Sequence, residues 1–181
     1  GLGVNDDTRA VVKAVLENAK VPVIVDADGI NIIAENISIL RNAKSEVVLT
    51  PHPKEMSRLT GTPTEIIQSD RIGFARKFSE ENKVYLALKG SNTIVTEPES
   101  RRTYVNASGN NGLSKGGSGD VLAGIMGGFA VQNFSLIDAV TAAVYIHGHI
   151  ADIVADNLSK SGMLPSDLVN ELGATLGAFE K

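Results

Sequence analysis

The chain has 181 residues and a mass of 19.0 kDa; 43% of its residues are apolar, 21% are charged and 4% are aromatic. This length and apolar content suit one domain with a sizeable core and exclude disordered, collagen-like and fibrous proteins. The net charge of −4 disfavours nucleic-acid binding, so any phosphate must be bound by a local site. Cysteine is absent, which excludes disulfides, thiolate catalysis and cysteine-ligated zinc.

The sequence opens without a secretory signal pattern and contains no long apolar stretch. Its longest uninterrupted apolar run, over 121–131, is well short of the ~20 residues that cross a bilayer. We therefore expect a cytoplasmic protein without a membrane partner. Because the first residue is Gly1 and not Met, we also expect a fragment, a processed chain or a trimmed one.

Helical and strand patterns alternate along the chain. In chain order they predict a helix over 6–18, strands over 21–27 and 47–50, a helix over 62–81, a strand over 84–90, a hairpin with arms over 93–96 and 103–106 around a turn rich in Pro, Glu, Ser and Arg, and a helix over 135–157. The helix over 62–81 is predicted to begin at the capping box Thr62-Pro63-Thr64-Glu65. From Gly117 onward the chain is predicted to be all helical. The alternation predicts a single α/β domain over 1–181, with a mostly parallel sheet flanked by helices.

Polar residues follow the predicted parallel strands at the points where the strands end. The segments are Asp26-Ala27-Asp28-Gly29, Pro51-His52-Pro53 and Lys89-Gly90-Ser91-Asn92. Ligands of such sheets bind at the carboxyl ends of the strands, so this placement predicts one site. Asp26 and Asp28 could hold Mg²⁺ or cap the next helix. His52, between two prolines at a turn tip, is predicted to contact a ligand, whereas Glu55 is equally suited to capping.

The strongest local pattern is the segment 109–120, GNNGLSKGGSGD, which leads into an apolar helix. Closely spaced Gly and Asn leave backbone N–H groups free to face an anion, and the helix N-terminus adds its dipole. The segment matches neither the P-loop nor the dinucleotide-binding glycine pattern. We interpret it as a phosphate-binding loop with Asp120 as general base; the alternative is a flexible loop whose Asp120 caps the helix. Lys115 is equally suited to steadying phosphate or to lying in solvent.

The distinctive motifs, taken in order, are Gly1-Leu2-Gly3, Asp26-Ala27-Asp28-Gly29, Thr50-Pro51-His52-Pro53 with Glu55-Met56, Lys89-Gly90-Ser91-Asn92-Thr93, and Gly116-Gly117-Ser118-Gly119-Asp120 with the Val121-Leu122-Ala123-Gly124 that follows. Together they resemble the ADP/ATP-dependent NAD(P)H-hydrate dehydratases, a branch of the ribokinase-like superfamily, nearly from end to end. The resemblance implies a ribokinase-like fold. Since family members extend upstream of the first motif, it also implies that this chain lacks the N-terminal part of that fold.

The resemblance further implies a metabolite-repair enzyme. Such an enzyme uses ADP or ATP with Mg²⁺ to phosphorylate the hydroxyl of hydrated NADH or NADPH and then eliminates phosphate. By motif, Asp120 would be the base and a substrate contact, and Gly3 and His52 would bind the hydrate. The implied nucleotide-binding residues are Lys89, Gly90, Ser91, Asn92, Thr93, Gly116, Gly117, Ser118 and Gly119. The metal ligands stay unassigned, and the family's habit of assembling implies a homo-oligomer.

The sequence departs from the family pattern beside both binding segments. Asn111 stands where the family usually has Pro, Ser114-Lys115 where it has Ala-Thr, and Lys54 where it has Gly. Two alternatives therefore stay open. One is a small-molecule kinase of the same superfamily, acting on a vitamin precursor or a sugar, and the other is a truncated domain that binds nucleotide without turnover.

Overall fold

The computed structural model describes residues 1–99 and 102–180. Its helices and strands are α1 (Asp6–Asn18), β1 (Val23–Val25), α2 (Asp28–Glu35), β2 (Val47–Leu49), α3 (Pro53–Thr60), α4 (Thr64–Ser69), α5 (Arg71–Asn82), β3 (Tyr85–Leu88), β4 (Ile94–Thr96), β5 (Thr103–Val105), α6 (Ser118–Ala130), α7 (Leu136–Leu158) and α8 (Pro165–Phe179). Two short 3₁₀ helices span Ile37–Asn42 and Asn111–Leu113. The chain divides into two compact units, one ending at Val105 and one beginning at Asn106, which we describe separately.

The first unit holds a five-stranded sheet in the order β1-β2-β3-β4-β5. The strands β1, β2 and β3 are parallel, and their register pairs Val23 with Val47 and Val48 with Tyr85. The hairpin of β4 and β5 extends the sheet in antiparallel fashion. The predicted strands and hairpin are thereby confirmed, although the hairpin makes the sheet mixed. Residues 100 and 101 of the predicted hairpin turn lie outside the described residues.

The core of the first unit forms between the sheet and the helices. The parallel strands β1 and β2 are each followed by helices, as expected when the chain must return to start a neighbouring parallel strand. Fully buried side chains come from both layers, among them Leu16 of α1, Ile33 of α2, Leu49 of β2, Met56 of α3 and Leu86 of β3. This packing places the carboxyl ends of β1, β2 and β3 along one edge of the sheet.

The predicted helix over 62–81 is wrong in one respect, because the structure has two helices there. The chain breaks at Asp70, whose φ of −147° is extended and whose side chain accepts a hydrogen bond from the Gly73 amide, so that α5 starts afresh. The predicted capping box at Thr62 is also absent. Pro63 is the N-cap of α4, with no side-chain hydrogen bond to cap it.

The second unit consists of the helices α6, α7 and α8, as predicted for the chain after Gly117. The long helix α7 begins after the N-cap Ser135 and packs against both α6 and α8. His147, on α7, is buried, as expected for a packed histidine. Among the described residues, α7 is the one helix long and apolar enough to cross a membrane, with a mean hydropathy of 1.2 over an 18-residue stretch. Of that stretch, 61% is buried inside the protein, as in the core helix of a globular domain.

The chain crosses α7 closely at Gly148. A Cβ added at Gly148 would lie 2.4 Å from Oγ and 2.8 Å from the carbonyl oxygen of Ser108. The Ser108 hydroxyl also donates to the carbonyl of Tyr145 at 2.9 Å, which holds the crossing segment in place. A glycine is therefore required here by space and not by backbone conformation.

We predict that Gly148→Ala lowers the free energy of unfolding by about 1–3 kcal/mol, because the methyl group collides with the Ser108 backbone. The measurement is chemical denaturation monitored by circular dichroism. The matched control is Gly173→Ala on α8, where nothing lies within 4 Å of the added Cβ and the better helix propensity of alanine should stabilise the protein by about 0.5–1 kcal/mol. Equal effects of the two substitutions would contradict the steric argument.

Candidate functional site

Three polar side chains meet where the strands β1, β2 and β3 end. Lys89 follows β3, and its Nζ lies 2.6 Å from Oδ1 of Asp26, which follows β1. Thr50, after β2, donates its hydroxyl to the same Oδ1 at 2.8 Å. The Asp26 and Lys89 side chains are only 15% and 20% exposed, so water screens this ion pair poorly. For these residues, the predicted gathering of polar groups at the edge of the sheet is confirmed.

Asp28 fixes the first motif of the chain. Its Oδ2 accepts a hydrogen bond from the amide of Gly3 at 2.8 Å, and the Gly3 carbonyl accepts one from the Thr8 hydroxyl at 2.9 Å. Gly3 has a φ of +73°, a conformation that glycine adopts without strain. The exposed Gly3 is thus held in a defined position beside the start of α2.

The expectation that Asp26 or Asp28 caps α2 is wrong, whereas a role in binding Mg²⁺ stays a prediction. Neither caps α2, because the N-cap is Ala27 and no side chain bonds there. Asp26 is paired with Lys89, and Asp28 is bonded to the Gly3 amide, so each carboxylate already has a partner. Among residues 1–99 and 102–180, no group of three or more His, Cys, Asp or Glu side chains is placed to hold a metal ion.

His52 caps the helix α3. Its Nδ1 accepts hydrogen bonds from the amides of Lys54 and Glu55, both at 3.1 Å. Glu55 Oε2 accepts in return from the His52 amide at 2.7 Å, and Pro53 occupies the first turn, where its missing N–H is not needed. The carboxylate of Glu55 is buried, and its suggested capping role is confirmed.

This cap determines where the His52 ring carries its proton. An Nδ1 that accepts two N–H groups holds no hydrogen, so the hydrogen-bond network assigns the proton of the neutral ring to Nε2. Burial lowers the pKa of His52, Lys89 and Arg58 lower it further, and the Glu55 carboxylate, 3.4 Å from Nε2, opposes the shift. With its side chain 45% exposed, His52 presents a neutral N–H donor at the tip of the turn.

The predicted nucleotide-binding turn begins directly at Lys89. The Lys89 amide donates to the Pro51 carbonyl at 2.8 Å, which ties this turn to the start of the His52 turn. Gly90 and Asn92 have φ values of +147° and +57°. The Ser91 and Asn92 side chains are exposed, whereas the Lys89 ammonium is already paired with Asp26. The ammonium of Lys89 is thus committed within the protein, whereas the Ser91 and Asn92 side chains lie at the surface of the turn.

In the second unit, the glycine-rich segment ends at the N-terminus of α6. Gly117 is the N-cap, with a φ of +95°, and a Cβ there would lie 3.1 Å from Pro165. The amide of Ser118 donates to the Lys115 carbonyl at 3.2 Å. Among the described residues, the backbone hydrogen bonds at this helix start are those from Ser118 and from the Val121 amide to the Gly117 carbonyl, and none is found from the amides of Gly119 and Asp120. Unpartnered amides at a helix start attract anions, and nothing lies within 4 Å of a Cβ added at Gly116.

Asp120 lies in the first turn of α6 and is exposed. The N-cap position carries no side-chain hydrogen bond, and the carboxylate of Asp120 bonds to no group among the described residues. The expected alternative, in which Asp120 merely caps the helix, therefore has no support in the hydrogen bonds. The carboxylate is free to accept a proton, or a hydrogen bond from a hydroxyl group, of a ligand.

Side chains from the same unit hold the beginning and middle of the glycine-rich segment. Asp152 of α7 accepts from the Gly109 amide at 2.7 Å and from the Asn110 side chain at 2.9 Å. Lys115 donates to the carbonyls of Ser161 at 2.7 Å and Met163 at 2.5 Å. Lys115 is thus bound to the connection between α7 and α8, and neither of its two expected roles, at phosphate or in solvent, describes it.

Sequence reasoning missed two residues of these binding segments, Asp152 and Arg71. Asp152 lies within an apolar helical pattern and gave no signal. Arg71, the first residue of α5, bonds to carbonyls of the turn over 88–91. Arg71 lay inside the predicted helix over 62–81, so its unfavourable position at a helix N-terminus, where a cation opposes the helix dipole, became visible only in the structure.

We predict that the His52 ring titrates with a pKa below the usual value of about 6.5 for histidine. In the neutral ring the proton should lie on Nε2, and ¹⁵N-detected NMR can measure both the pKa and the position of the proton. Because the folded-state pKa is lowered, the stability contributed by neutral His52 is present above the unfolded pKa and is lost as the pH falls below it. His52→Asn should remove this pH dependence while keeping the cap, and His52→Ala should cost about 1 kcal/mol at neutral pH. A proton on Nδ1, or a pKa above 6.5, would contradict the assignment.

Comparison with known proteins identifies the family. The model of the NAD(P)H-hydrate dehydratase family matches residues 1–173. The chain is 38% identical over 181 residues to the bifunctional NAD(P)H-hydrate repair enzyme of Moorella thermoacetica, an alignment that covers 100% of this chain and 34% of that protein. The ADP/ATP-dependent NAD(P)H-hydrate dehydratase of Bacillus subtilis, co-crystallised with ATP/Mg²⁺, superposes with a TM-score of 0.87 at 31% identity, covering 99% of this chain and 62% of that one.

The fold has a further counterpart in a ribokinase-like superfamily protein from Enterococcus faecalis V583, with a TM-score of 0.84 and 26% identity over 99% of this chain and 61% of that one. The chain thus spans about a third of the Moorella protein and less than two thirds of either solved chain. Since the family model covers both compact units, the chain belongs to the NAD(P)H-hydrate dehydratase family and has its ribokinase-like α/β fold.

Proposed function

We propose that this chain catalyses the nucleotide-dependent dehydration of hydrated NADH or NADPH, which returns the cofactor to its active form. The observation that carries the proposal is the start of α6, where unpartnered amides are followed by the exposed, uncommitted carboxylate of Asp120. Phosphoryl transfer needs little more from a protein than charge stabilisation, positioning and one base. Family membership supports this chemistry over other uses of the same elements.

In the proposed reaction, the hydroxyl of the hydrate attacks the terminal phosphate of the nucleotide, and Asp120 accepts its proton. The resulting phosphate ester then loses phosphate together with a proton from the neighbouring ring carbon, which restores the double bond of the dihydronicotinamide ring. The net change is the hydrolysis of one phosphoanhydride for each water removed from the hydrate. A direct loss of hydroxide would be slower, because hydroxide is a far poorer leaving group than phosphate.

The binding roles follow the geometry of each unit taken by itself. In the first unit, Gly3 and the Nε2–H of His52 are proposed to bind the hydrate. The turn 89–93 is proposed to bind the adenine nucleotide, chiefly through its backbone and the Ser91 and Asn92 side chains. In the second unit, the amides of 116–119 are proposed to bind phosphate. The unpartnered amides at the helix start support this last role.

Mg²⁺ is proposed to accompany the nucleotide, as it does in the crystallised Bacillus enzyme. The described residues do not form a resident site, because Asp26 and Asp28 are occupied and no cluster of three ligands exists among them. Mg²⁺ commonly binds through substrate phosphates and waters with few protein ligands. We therefore assign no protein ligand and route no step through the metal.

We further propose a single domain over 1–181, because the family model matches both units. A cytoplasmic homo-oligomer without nucleic-acid or membrane partners is proposed as well. The net charge of −4 supports the lack of a nucleic-acid partner, and the burial of α7 supports the lack of a membrane span.

The direct test is to incubate the chain with hydrated NADH, Mg²⁺ and either ADP or ATP, and to follow the return of NADH absorbance. Recovery that depends on one nucleotide would support the activity and identify the co-substrate. Phosphorylation of a vitamin precursor or a sugar, without recovery of NADH, would favour a small-molecule kinase instead. Nucleotide binding with neither reaction would contradict the proposed turnover.

We predict that Asp120→Asn lowers the turnover number about 10²- to 10⁴-fold while the fold survives, because the amide cannot accept the hydroxyl proton. The exposed position of Asp120 makes this near-isosteric change harmless to packing. Turnover and circular dichroism should be measured on the same preparation. The control is Asp156→Asn, an exposed carboxylate on α7 that should leave both unchanged. Retained activity in Asp120→Asn would remove Asp120 from the mechanism.

A further inference from the structure

The guanidinium of Arg71 is bound to the backbone of the predicted nucleotide-binding turn. Its Nη2 donates to the carbonyls of Leu88 at 3.0 Å and Lys89 at 3.3 Å, and its Nη1 donates to the carbonyl of Ser91. These three carbonyls lie at the end of β3 and within the turn itself. One side chain from another element therefore holds both sides of this turn.

The position of Arg71 is energetically unfavourable unless its interactions with the turn compensate. Arg71 is the first residue of α5, where a positive charge opposes the helix dipole. The residue is half-buried, and its Nε is buried with no hydrogen-bond partner among the described residues. Desolvating a cation in this way is unfavourable by itself. The charge-assisted bonds to three carbonyls are the interactions that offset it.

The turn is also shaped to fit the guanidinium. A Cβ added at Gly90 would lie 2.8 Å from Nη2 and 3.2 Å from Cζ of Arg71, at a φ of +147°. A larger residue at Gly90 would displace the guanidinium or the turn. The close approach at Gly90 and the hydrogen bonds to the carbonyls both place the guanidinium directly against the turn backbone.

We propose that Arg71 is a positioning residue for adenine nucleotide, which sets the backbone of the turn 89–93 so that its exposed polar groups meet the ligand. Because the Nη groups are committed to carbonyls, Arg71 acts through the turn and does not itself bind phosphate. Neutralising three carbonyl dipoles also makes the turn less repulsive to a polyanion. The inference rests on the proposed function, since it takes this turn as part of the nucleotide site.

The test compares Arg71→Lys and Arg71→Gln with the unaltered chain, using calorimetric titration with Mg²⁺ and ADP or ATP. Lysine keeps the charge but has no planar fork, and glutamine loses both. We expect Arg71→Gln to raise the nucleotide Kd about 10- to 100-fold, which corresponds to the loss of one or two charge-assisted bonds, and Arg71→Lys to fall between. Hydrogen exchange of the peptide over 89–93 should accelerate in both variants.

A purely structural role is separated by kinetics and by a control. The KM for nucleotide should rise, whereas the KM for hydrate and the kcat at saturating nucleotide should change less than about threefold. The control is Arg41→Gln, an exposed arginine in the 3₁₀ helix that leads to the amino-terminal end of β2, which should change neither Kd nor exchange.

The outcomes are distinguishable. If the unaltered chain binds no nucleotide, the proposed function fails. If it binds nucleotide and Arg71→Lys matches it in Kd and in exchange over 89–93, the positioning role fails while the proposed function stands. Equal losses of hydrate and nucleotide affinity with general loss of protection would also overturn the positioning role. Should Arg71→Gln not fold, Arg71→Lys decides by the same measurements.

Discussion

The ion pair of Asp26 and Lys89 spans three strands, because β2 lies between the strands that these residues follow. Thr50, at the end of β2, supplies the hydroxyl that fills the middle of the span. Both charged side chains are largely shielded from water, so removing either partner would leave an uncompensated charge, at a typical cost of about 3–5 kcal/mol. The pair therefore fixes the carboxyl edge of the parallel strands.

Both predicted binding turns of the first unit start from this edge. The His52 turn follows Thr50 and Pro51 directly, and the turn 89–93 starts with Lys89 itself. The bond from the Lys89 amide to the Pro51 carbonyl links the two. A ligand held by these turns would consequently be positioned by groups that do not touch it. Lys89 therefore stabilises the edge of the sheet through its ion pair with Asp26, although it lies at a predicted nucleotide-binding position.

In both units, hydrogen bonds from side chains to the backbone hold the irregular segments in place. Backbone groups in turns lack the partners that a helix or sheet would supply, and long side chains provide them instead. Arg71 and Lys115 donate to carbonyls, while Asp152 and the His52 ring accept from amides. In each case a side chain supplies a hydrogen-bond partner to backbone groups within or next to a predicted binding segment. Three of these four residues are charged. From composition alone, such charged side chains would be expected to face solvent or substrate, whereas here they bond to the backbone.

The sequence by itself determined the elements whose signals are local. The helix over 6–18 was predicted to its observed ends, because its apolar residues recur at helical spacing. The strands, the hairpin, the capping role of Glu55 and the glycine-rich helix start were likewise predicted from patterns within about ten residues, whereas the capping role of the His52 ring was not. The break at Asp70 was missed although it depends on a local hydrogen bond from the Gly73 amide. The tertiary structure alone decided the pairing of Asp26 with Lys89 and the partners of Arg71, Lys115 and Asp152. Those contacts join residues 17 to 63 positions apart, and a side chain's partner at such a distance is set by how the helices and strands pack, which no local pattern encodes.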